Sequence, residues 1–304
     1  AYTSQQYGPD MSEELAFILH GGDLVSTGSN HSQWQDHYFD QAQALYELVP
    51  SYSVLGNHEA DADFYFEYLR LPHNSQPGSE ERYWWADRQN VRMIGLDSNG
   101  YTSSSEQLTW LNGVLDDAAN EDHIDFVFCI FHHPHKSELW TPGESGFSSS
   151  VVSKLEQFSD DTGKPSVHFF GHTHGYSRGQ SKEHNHLMVN VATGMGNPDY
   201  WYEYTQADYP EFQYSEPDWG FCIIDVDAGN DPQFRLRRLS RGNEYVSKNN
   251  TLSDEITIRR YNNPPAKPTA LAPNLSSGDQ SSGSVELVGS AFSDPDGDTL
   301  LEAQ

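Results

Sequence analysis

The sequence predicts an α/β layered domain, with mixed sheets and helices outside, followed by the start of a second, β-rich module. Three observations carry this. Short apolar runs alternate with helical spacing through the first half, and the second half is mostly strand-like. A Pro/Asn-rich stretch, Asn262-Asn263-Pro264-Pro265-Ala266-Lys267-Pro268, then interrupts both patterns and reads as a linker. The expected division is a domain over 1–261, a linker over 262–284 and the opening of a cut-off β module over 285–304.

In chain order, residues 9–14 read as a turn and a short polar helix. Leu15-Ala16-Phe17-Ile18-Leu19 reads as a buried strand, broken by Gly21-Gly22 with Asp23 just after. Phe39, Ala42, Leu45 and Val49 recur at three- and four-residue spacing, which predicts a helix over 34–49 that Pro50 ends. A second strand, 52–55, breaks at Gly56-Asn57-His58-Glu59. Residues 82–86 and 91–96 predict a strand pair. Ser104 with Gln107 forms a capping box, opening a helix with Leu108, Leu111 and Leu115 on one face. The run 124–131 is a third buried strand and ends in His132-His133-Pro134-His135. Val151, Leu155 and Phe158 mark a helix stopped near Gly163. The run 167–170 ends abruptly at Gly171, before His172-Thr173-His174. Strand-like segments follow at 186–192, 219–226, 234–239 and 256–260. Residues 276–284 are Ser/Gly-rich, and 285–292 alternate like a strand.

The chain has 304 residues and a formal charge of −28, from 17 Lys+Arg against 45 Asp+Glu. Such a field repels phosphate backbones and anionic membranes, which disfavours a nucleic-acid coating role. With 36% hydrophobic and 13% aromatic residues, the chain can build a sizeable core. Cys129 and Cys222 each sit in an apolar run, and buried free thiols are favoured over a disulfide. No apolar run approaches the ~18 residues that span a bilayer. The first residue is Ala, and no signal-like apolar stretch follows it, so a processed chain or a fragment is expected.

Four apolar runs each end in a metal-competent group: Asp23; Asn57 with His58; His132 with His133; and His172 with His174. Side chains two apart on extended backbone point the same way, so His172 and His174 can face one site. Imidazole is the commonest protein ligand for transition metals. Successive strand ends are also where an open α/β sheet places its site. A lone His-x-His or Gly-Asp is weak evidence, but four such ends in succession point to a shared metal site. Mixed oxygen and imidazole donors suit Fe, Zn, Mn, Co or Ni rather than calcium. Bound cations would also supply the positive charge that so acidic a chain lacks for an anionic substrate.

Gly22-Asp23, Gly56-Asn57-His58-Glu59, His132-His133-Pro134 and Gly171-His172-Thr173-His174 resemble the ordered blocks of the calcineurin-like metallophosphoesterases. The flanks 18–23, 106–111 and Tyr176-Ser177-Arg178 resemble the purple acid phosphatase-like branch. The resemblance covers about residues 10–240. It implies a β-sandwich of two mixed sheets flanked by helices, with two transition-metal ions between the sheets, Fe, Zn or Mn foremost. The implied activity is hydrolysis of small phosphate mono- or diesters by water that the ions activate. By the same resemblance Asp23 would bridge both ions. Asn57, His132 and His172 would complete one, and His174 would bind the other. His58 would stand beside the phosphate as general acid or hydrogen-bond donor, and His133 would be a weaker phosphate contact. Arg178 would reach an anion or lie on the surface, Tyr176 would pack, and His20 and His135 would be structural.

There are two departures. The family carries an Asp-x-His block upstream of Gly-Asp, and residues 1–22 contain none; Asp10 is followed by Met11 and Ser12. Ser26 stands where purple acid phosphatases have a metal-binding Tyr, so no iron-tyrosinate colour is expected. The expectation is a fragment, truncated at both ends, of a longer enzyme, holding one ion well and the second poorly. The segment Ser293-Asp294-Pro295-Asp296-Gly297-Asp298 resembles the acidic turn of bacterial immunoglobulin- or cadherin-like modules, whose oxygens suit Ca²⁺. This favours a secreted or cell-surface bacterial protein. Two other readings compete. One is a non-catalytic binding or adhesion protein with a degenerate metal site. The other is a nucleotide-specific hydrolase that stacks a base on Trp84, Trp85, Tyr200, Trp201 or Tyr202. The Tyr-, Trp- and acid-rich segment 198–219 reads as a loop over the site that sets specificity.

Overall fold

The apolar runs of the first half become strands covered on both faces. The computed structural model describes residues 6, 11–194, 196–263, 265–272 and 288–296. The strands are β1 (Ile18–His20), β2 (Ser51–Ser53), β3 (Trp84–Arg88), β4 (Val91–Gly95), β5 (Phe126–Ile130), β6 (Ser166–Phe170), β7 (Gly175–Gln180), β8 (His186–Ala192), β9 (Phe212–Glu216), β10 (Trp219–Asp227), β11 (Gln233–Gly242) and β12 (Ser247–Arg259). Seven of them form one mixed sheet in the order β3-β4-β5-β6-β8-β7-β9. Its centre, β4 through β6 to β8, is parallel, and both flanks are antiparallel.

Alternation along the central strands explains the burial. Phe126, Phe128, Ile130, Val167 and Phe169 point to one core. Val127, Cys129, Phe131 and Phe170 point to the other. The second core lies under α3 (Ser104–Asn120) and α4 (Gly146–Thr162), which supply Leu111, Val114, Leu115, Val151, Leu155 and Phe158. Gly163 ends α4 at φ 65°, a left-handed position that glycine takes without steric cost. The first core lies under a second β layer made of two separate ladders. These are the parallel pair β1-β2 and the antiparallel ribbon β10-β11-β12, which contributes Phe234, Leu236 and Ile258. Cys129 and Cys222 are free thiols.

Local differences from the sequence reading have physical causes. The helix expected over 34–49 begins at His31, capped by the Asn30 side chain. It widens into a π-type turn over Trp34–Phe39 and resumes as α1 (Asp40–Tyr46). Trp34 is fully buried and donates Nε1–H to the Gly28 carbonyl at 2.8 Å, while Tyr38 stacks on Tyr46 at 4.6 Å. These aromatics, packed inward, override regular spacing. The short α2 (Asp63–Tyr68) was not anticipated. The cap of α3 is Ser103, which accepts from Glu106 N at 3.4 Å, and not Ser104. Gln107 faces inward and closes on the backbone of Asp97, accepting at 2.8 Å and donating at 2.9 Å.

The chain divides into two compact units, Ala1–Arg260 and Tyr261–Gln304. In the second, β13 (Ala270–Ala272) pairs antiparallel with β14 (Val288–Gly289). Asp296 accepts from the backbone and side chain of Asn263 at 2.6 and 3.0 Å. Asp10, Pro264, the stretch 276–284, the start of the strand expected over 285–292, and Gly297 and Asp298 lie outside the described residues. Among the described residues, no helix is long and apolar enough to cross a membrane.

One polar pair sits deep in the second core. His168 lies between the Phe131 and Phe170 rings, at 5.1 and 5.5 Å. Its Nδ1 meets His186 Nε2 at 2.8 Å, and His186 Nδ1 meets Ser166 Oγ at 2.7 Å. Burial pushes His186 down to about 3 and His168 well below its ordinary value. Both are therefore neutral when folded, and the unfolded chain binds the extra protons below pH ~6.5. The pair's contribution to stability is complete above that pH and is lost as pH falls toward 3. At pH 5 the His186 share is about 2 kcal/mol. Urea unfolding at pH 7.5 and pH 5 should show the loss, and His186→Asn should lose less between the two than the parent. Equal losses would place the acid sensitivity elsewhere.

Candidate metal centre

Strand register brings the ligand-type residues to one edge. Gly95 lies opposite Ile130, and Ile130 opposite Phe169, so β4, β5 and β6 end level with one another. Asp97-Ser98, His132-His133 and His172 follow directly. In the other layer, His20 pairs with Ser53, and Asp23 and Asn57 follow. Hydrogen bonds stitch the two layers here. His132 Nδ1–H donates to the Gly21 carbonyl at 2.7 Å, and Asn99 Nδ2 donates to the Leu55 carbonyl at 2.8 Å.

The two loops after β1 and β2 nearly touch. A Cβ on Gly56 would fall 2.1 Å from Asp23 Oδ1, so only glycine fits. Asp23 (φ 54°) and His172 (φ 68°) both occupy the left-handed region, a conformation that persists only where the surroundings enforce it. For Asp23 the enforcing group is Glu59, a residue the motif contained but to which sequence reasoning gave no role. Glu59 is fully buried. Its Oε2 accepts from Asp23 N at 2.8 Å and Gly56 N at 2.7 Å, and its Oε1 from Leu24 N at 2.7 Å and Val25 N at 3.3 Å. Burial pushes this carboxyl up, and the nearby Asp23 charge adds to that, while the N–H donors oppose both by stabilising the carboxylate.

Four donor atoms converge beyond these loops. His132 Nε2 lies 3.1 Å from Asp23 Oδ2, 2.9 Å from Asn57 Oδ1 and 3.2 Å from His172 Nδ1, and Asn57 Oδ1 lies 2.8 Å from His172 Nδ1. With Nδ1–H given to Gly21, a neutral His132 presents only a lone pair at Nε2. In that neutral form, the one a metal requires, more lone pairs meet here than protons can pair. The spacing matches ligands around one shared ion, since bonds of ~2.0–2.1 Å place neighbouring ligand atoms roughly 2.9–3.4 Å apart. The residues thus fit a transition-metal ion. Burial alone would lower His132, but the Asp23 carboxylate carries it above its ordinary value. Burial would raise Asp23, yet the His132 and His58 contacts hold it down at about 2. Burial, with His132 beside it, pushes His172 down to about 3, which leaves its ring neutral and able to ligate.

The remaining predicted residues surround this cluster. His58 is exposed. Its backbone N–H donates to Asp23 Oδ1 at 3.0 Å, and its Nδ1 meets the Ser26 carbonyl at 2.9 Å. His133 stands against His172 at 4.3 Å and is held by Ser98 Oγ, which accepts its N–H at 2.9 Å and meets its Nδ1 at 3.0 Å. His174 lies outside the cluster. Its N–H donates to Asp199 Oδ2 at 2.8 Å and its Nδ1 meets the Asn197 carbonyl at 2.9 Å. Asp23, His132 and His172 are the one group of three His, Cys, Asp or Glu side chains among the described residues whose ligand atoms lie within 4.8 Å of one another.

Arg178 is neither free for a substrate anion nor on the surface. It grips Asp254 through Nε at 2.6 Å and Nη2 at 2.9 Å, and buried Tyr176 donates to the same carboxylate at 2.7 Å. His20 meets Tyr46 at 3.3 Å and His135 meets Ser149 at 2.8 Å. Trp84 is a core residue that donates to Ser53 O, and Trp85 packs under Arg92 at 4.2 Å, so neither offers a stacking face at this site. Sequence reasoning missed Trp140, whose ring lies 5.1 Å from that of His172. Its only signal was a position seven residues past the His-His pair.

Glu59→Gln keeps the shape but turns one acceptor oxygen into a donor facing two N–H groups. The expected loss is about 2–4 kcal/mol of stability, together with weaker metal binding, measured by denaturation and by metal titration of the purified variant.

Comparison with curated protein sequences finds no match. Among solved structures, the purple acid phosphatase PPD1 from yellow lupin (Lupinus luteus) seeds matches with TM-score 0.60 at 15% identity, over 84% of this chain and 48% of that one. The chain thus spans about half the length of the lupin enzyme. PhoD matches with TM-score 0.59 at 12% identity, over 85% and 67%. GAP50, the anchor in the inner membrane complex of Plasmodium, matches with TM-score 0.56 at 14% identity, over 83% of both chains. At these identities the likeness shows a shared fold. The family pattern for calcineurin-like phosphoesterases matches residues 6–176, more than half of the sequence, and the chain belongs to that family.

Proposed function

We propose that the chain hydrolyses small phosphate esters at the Asp23–Asn57–His132–His172 cluster. The observation that carries this is the convergence of four donor atoms, with lone pairs in excess, beside an exposed histidine at one edge of a phosphoesterase fold. In this reading Asp23, Asn57, His132 and His172 hold one ion, and Asp23 is shared with a second that His174 binds. Iron, zinc and manganese suit the donor set. When bound, the ions supply positive charge to the phosphoryl oxygens and acidify water.

The chain's own groups do the rest. The Ser26 carbonyl fixes the His58 ring through Nδ1, which directs Nε2 outward. As water oxygen bonds to phosphorus, giving up a proton to solvent, and the bond from phosphorus to the alcohol oxygen breaks, doubly protonated His58 gives its Nε2 proton to the departing oxygen while its Nδ1–H stays on the Ser26 carbonyl. His133, kept neutral by burial at about 4, contacts the phosphoryl group. The acidic composition and the turn at Asp294-Pro295-Asp296 support a secreted or cell-surface bacterial protein, with a β module after the linker that is able to take calcium. A second reading, a non-catalytic anchor, draws on the likeness to GAP50.

Aryl phosphate mono- and diesters, offered to the full chain with Mn²⁺, Zn²⁺ or iron, should be hydrolysed, and chelation should abolish the activity. His58→Ala should lower kcat about 10²–10⁴-fold with metal content unchanged, whereas Asp23→Ala should lose metal. Absence of turnover with every metal, by a chain that binds them, would favour the anchor.

A further inference from the structure

Between β8 and β9, residues 196–211 form neither helix nor strand, yet the segment is pinned. Asp199 accepts from His174 N and donates its own N–H to the His174 carbonyl at 2.7 Å. The Thr205 carbonyl accepts from Thr141 N at 3.0 Å, and Ala207 N donates to the Glu138 carbonyl at 3.2 Å. Gln206 Nε2 closes the segment onto the Tyr200 carbonyl at 2.9 Å. The segment is therefore fixed against His174 at one end and against the chain around Trp140 at the other. From His172 an aromatic series leads outward: Trp140 at 5.1 Å, then Tyr204, whose ring is 6.4 Å from that of Trp140.

Folding does not account for these rings. Tyr204 is 48% exposed, Tyr202 96% and Trp201 37%. Aromatic rings this exposed on a pinned segment leave ring face open to a ligand. The segment's own charge is acidic, and the one lysine recorded against it, Lys136, pairs with Glu211 at its far end at 2.8 Å. No Lys or Arg occurs between Lys182 and Arg235, whereas Asp199, Glu203, Asp208 and Glu211 all fall in the segment. Glu203, next in the chain to Tyr204, accepts from Tyr200 N at 3.2 Å. Aromatic faces beside carboxylates attract an organic ammonium ion, and the acidic field repels a second anionic group.

We propose that Trp140, Tyr204 and Glu203 form the subsite for the alcohol half of the substrate, and that the preferred substrates are phosphate esters of ammonium-bearing alcohols, with trimethylammonium ethanol (choline) as the reference. This rests on the phosphoesterase reading and adds the half of the substrate that the metal cluster does not hold. The ammonium group packs on the ring faces beside Glu203 while the phosphoryl group lies at the histidine cluster. A nucleotide or a polyol phosphate brings no positive charge to the carboxylates.

The test compares choline phosphate with its uncharged isostere 3,3-dimethylbutyl phosphate, with glycerol phosphate and with a nucleoside monophosphate, on the metal-loaded full chain. Expected is a kcat/KM for choline phosphate about tenfold above the isostere, with Tyr204→Ala and Glu203→Gln each raising its KM. A second readout needs no turnover: choline chloride, titrated against sodium chloride at equal ionic strength, should saturably change the tryptophan fluorescence of the parent and not of Tyr204→Ala. Equal use of the isostere, preference for the nucleotide, or no response to choline overturns the proposal. Ester hydrolysis without preference defeats the subsite alone. Choline binding without hydrolysis of any ester defeats the phosphoesterase reading and leaves the subsite standing.

Discussion

The candidate centre depends on one buried carboxylate accepting four backbone N–H groups. Glu59 ties the loop after β1 to the loop after β2, through Asp23, Leu24 and Val25 on one side and Gly56 on the other. Without it, the left-handed backbone at Asp23 would relax and its carboxylate would leave His132. The bonds also make the burial of the charge tolerable, since each oxygen takes two donors. The close passage of Gly22 and Gly56 follows from the same tie: a side chain at either would strike the opposite loop or His132.

The large sheet supplies the other half by geometry. Parallel β4, β5 and β6 end in register, so the residues just past each strand sit at one height. Gly171 N donates to the His132 carbonyl at 2.9 Å, which joins the two histidine loops, and the left-handed turn at His172 swings its ring toward Asn57. Helices on one face and the second β layer on the other keep the strands buried, so this edge rests on a rigid platform.

Three arginines spend their charge on carboxylates within the fold. Arg92 pairs with Asp87 and Asp117, Arg178 with Asp254, and fully buried Arg238 with Glu216. Arg238 also donates to Thr193 Oγ1 at 3.1 Å and to the Asp218 carbonyl at 2.7 Å, which locks the ribbon β10-β11 to the segment leading past His174. These three guanidinium groups are thus committed to carboxylates of the fold and are not offered to an anion at the histidine cluster. This agrees with a site that draws its positive charge from bound ions.

The sequence by itself determined which strand ends bear ligands, the two long helices and the family, because apolar runs ended by glycine and histidine are local patterns. His132, His172, Asn57 and Asp23 were legible for that reason, each standing directly after a run that had to be buried. Tertiary structure alone decided what those patterns do together. The seven-strand order and the split of the second layer into two ladders depend on pairings far apart in sequence. Glu59 acquires a role only when a loop 36 residues away folds onto it. Arg178 lost its free charge to Asp254, 76 positions on. Trp140 reached His172 because the loop after β5 crosses the end of β6, a meeting that no periodicity records. Local periodicity encodes which residues are buried; which buried or edge residues meet is set by long-range packing, where hydrogen bonds and close contacts act across the fold.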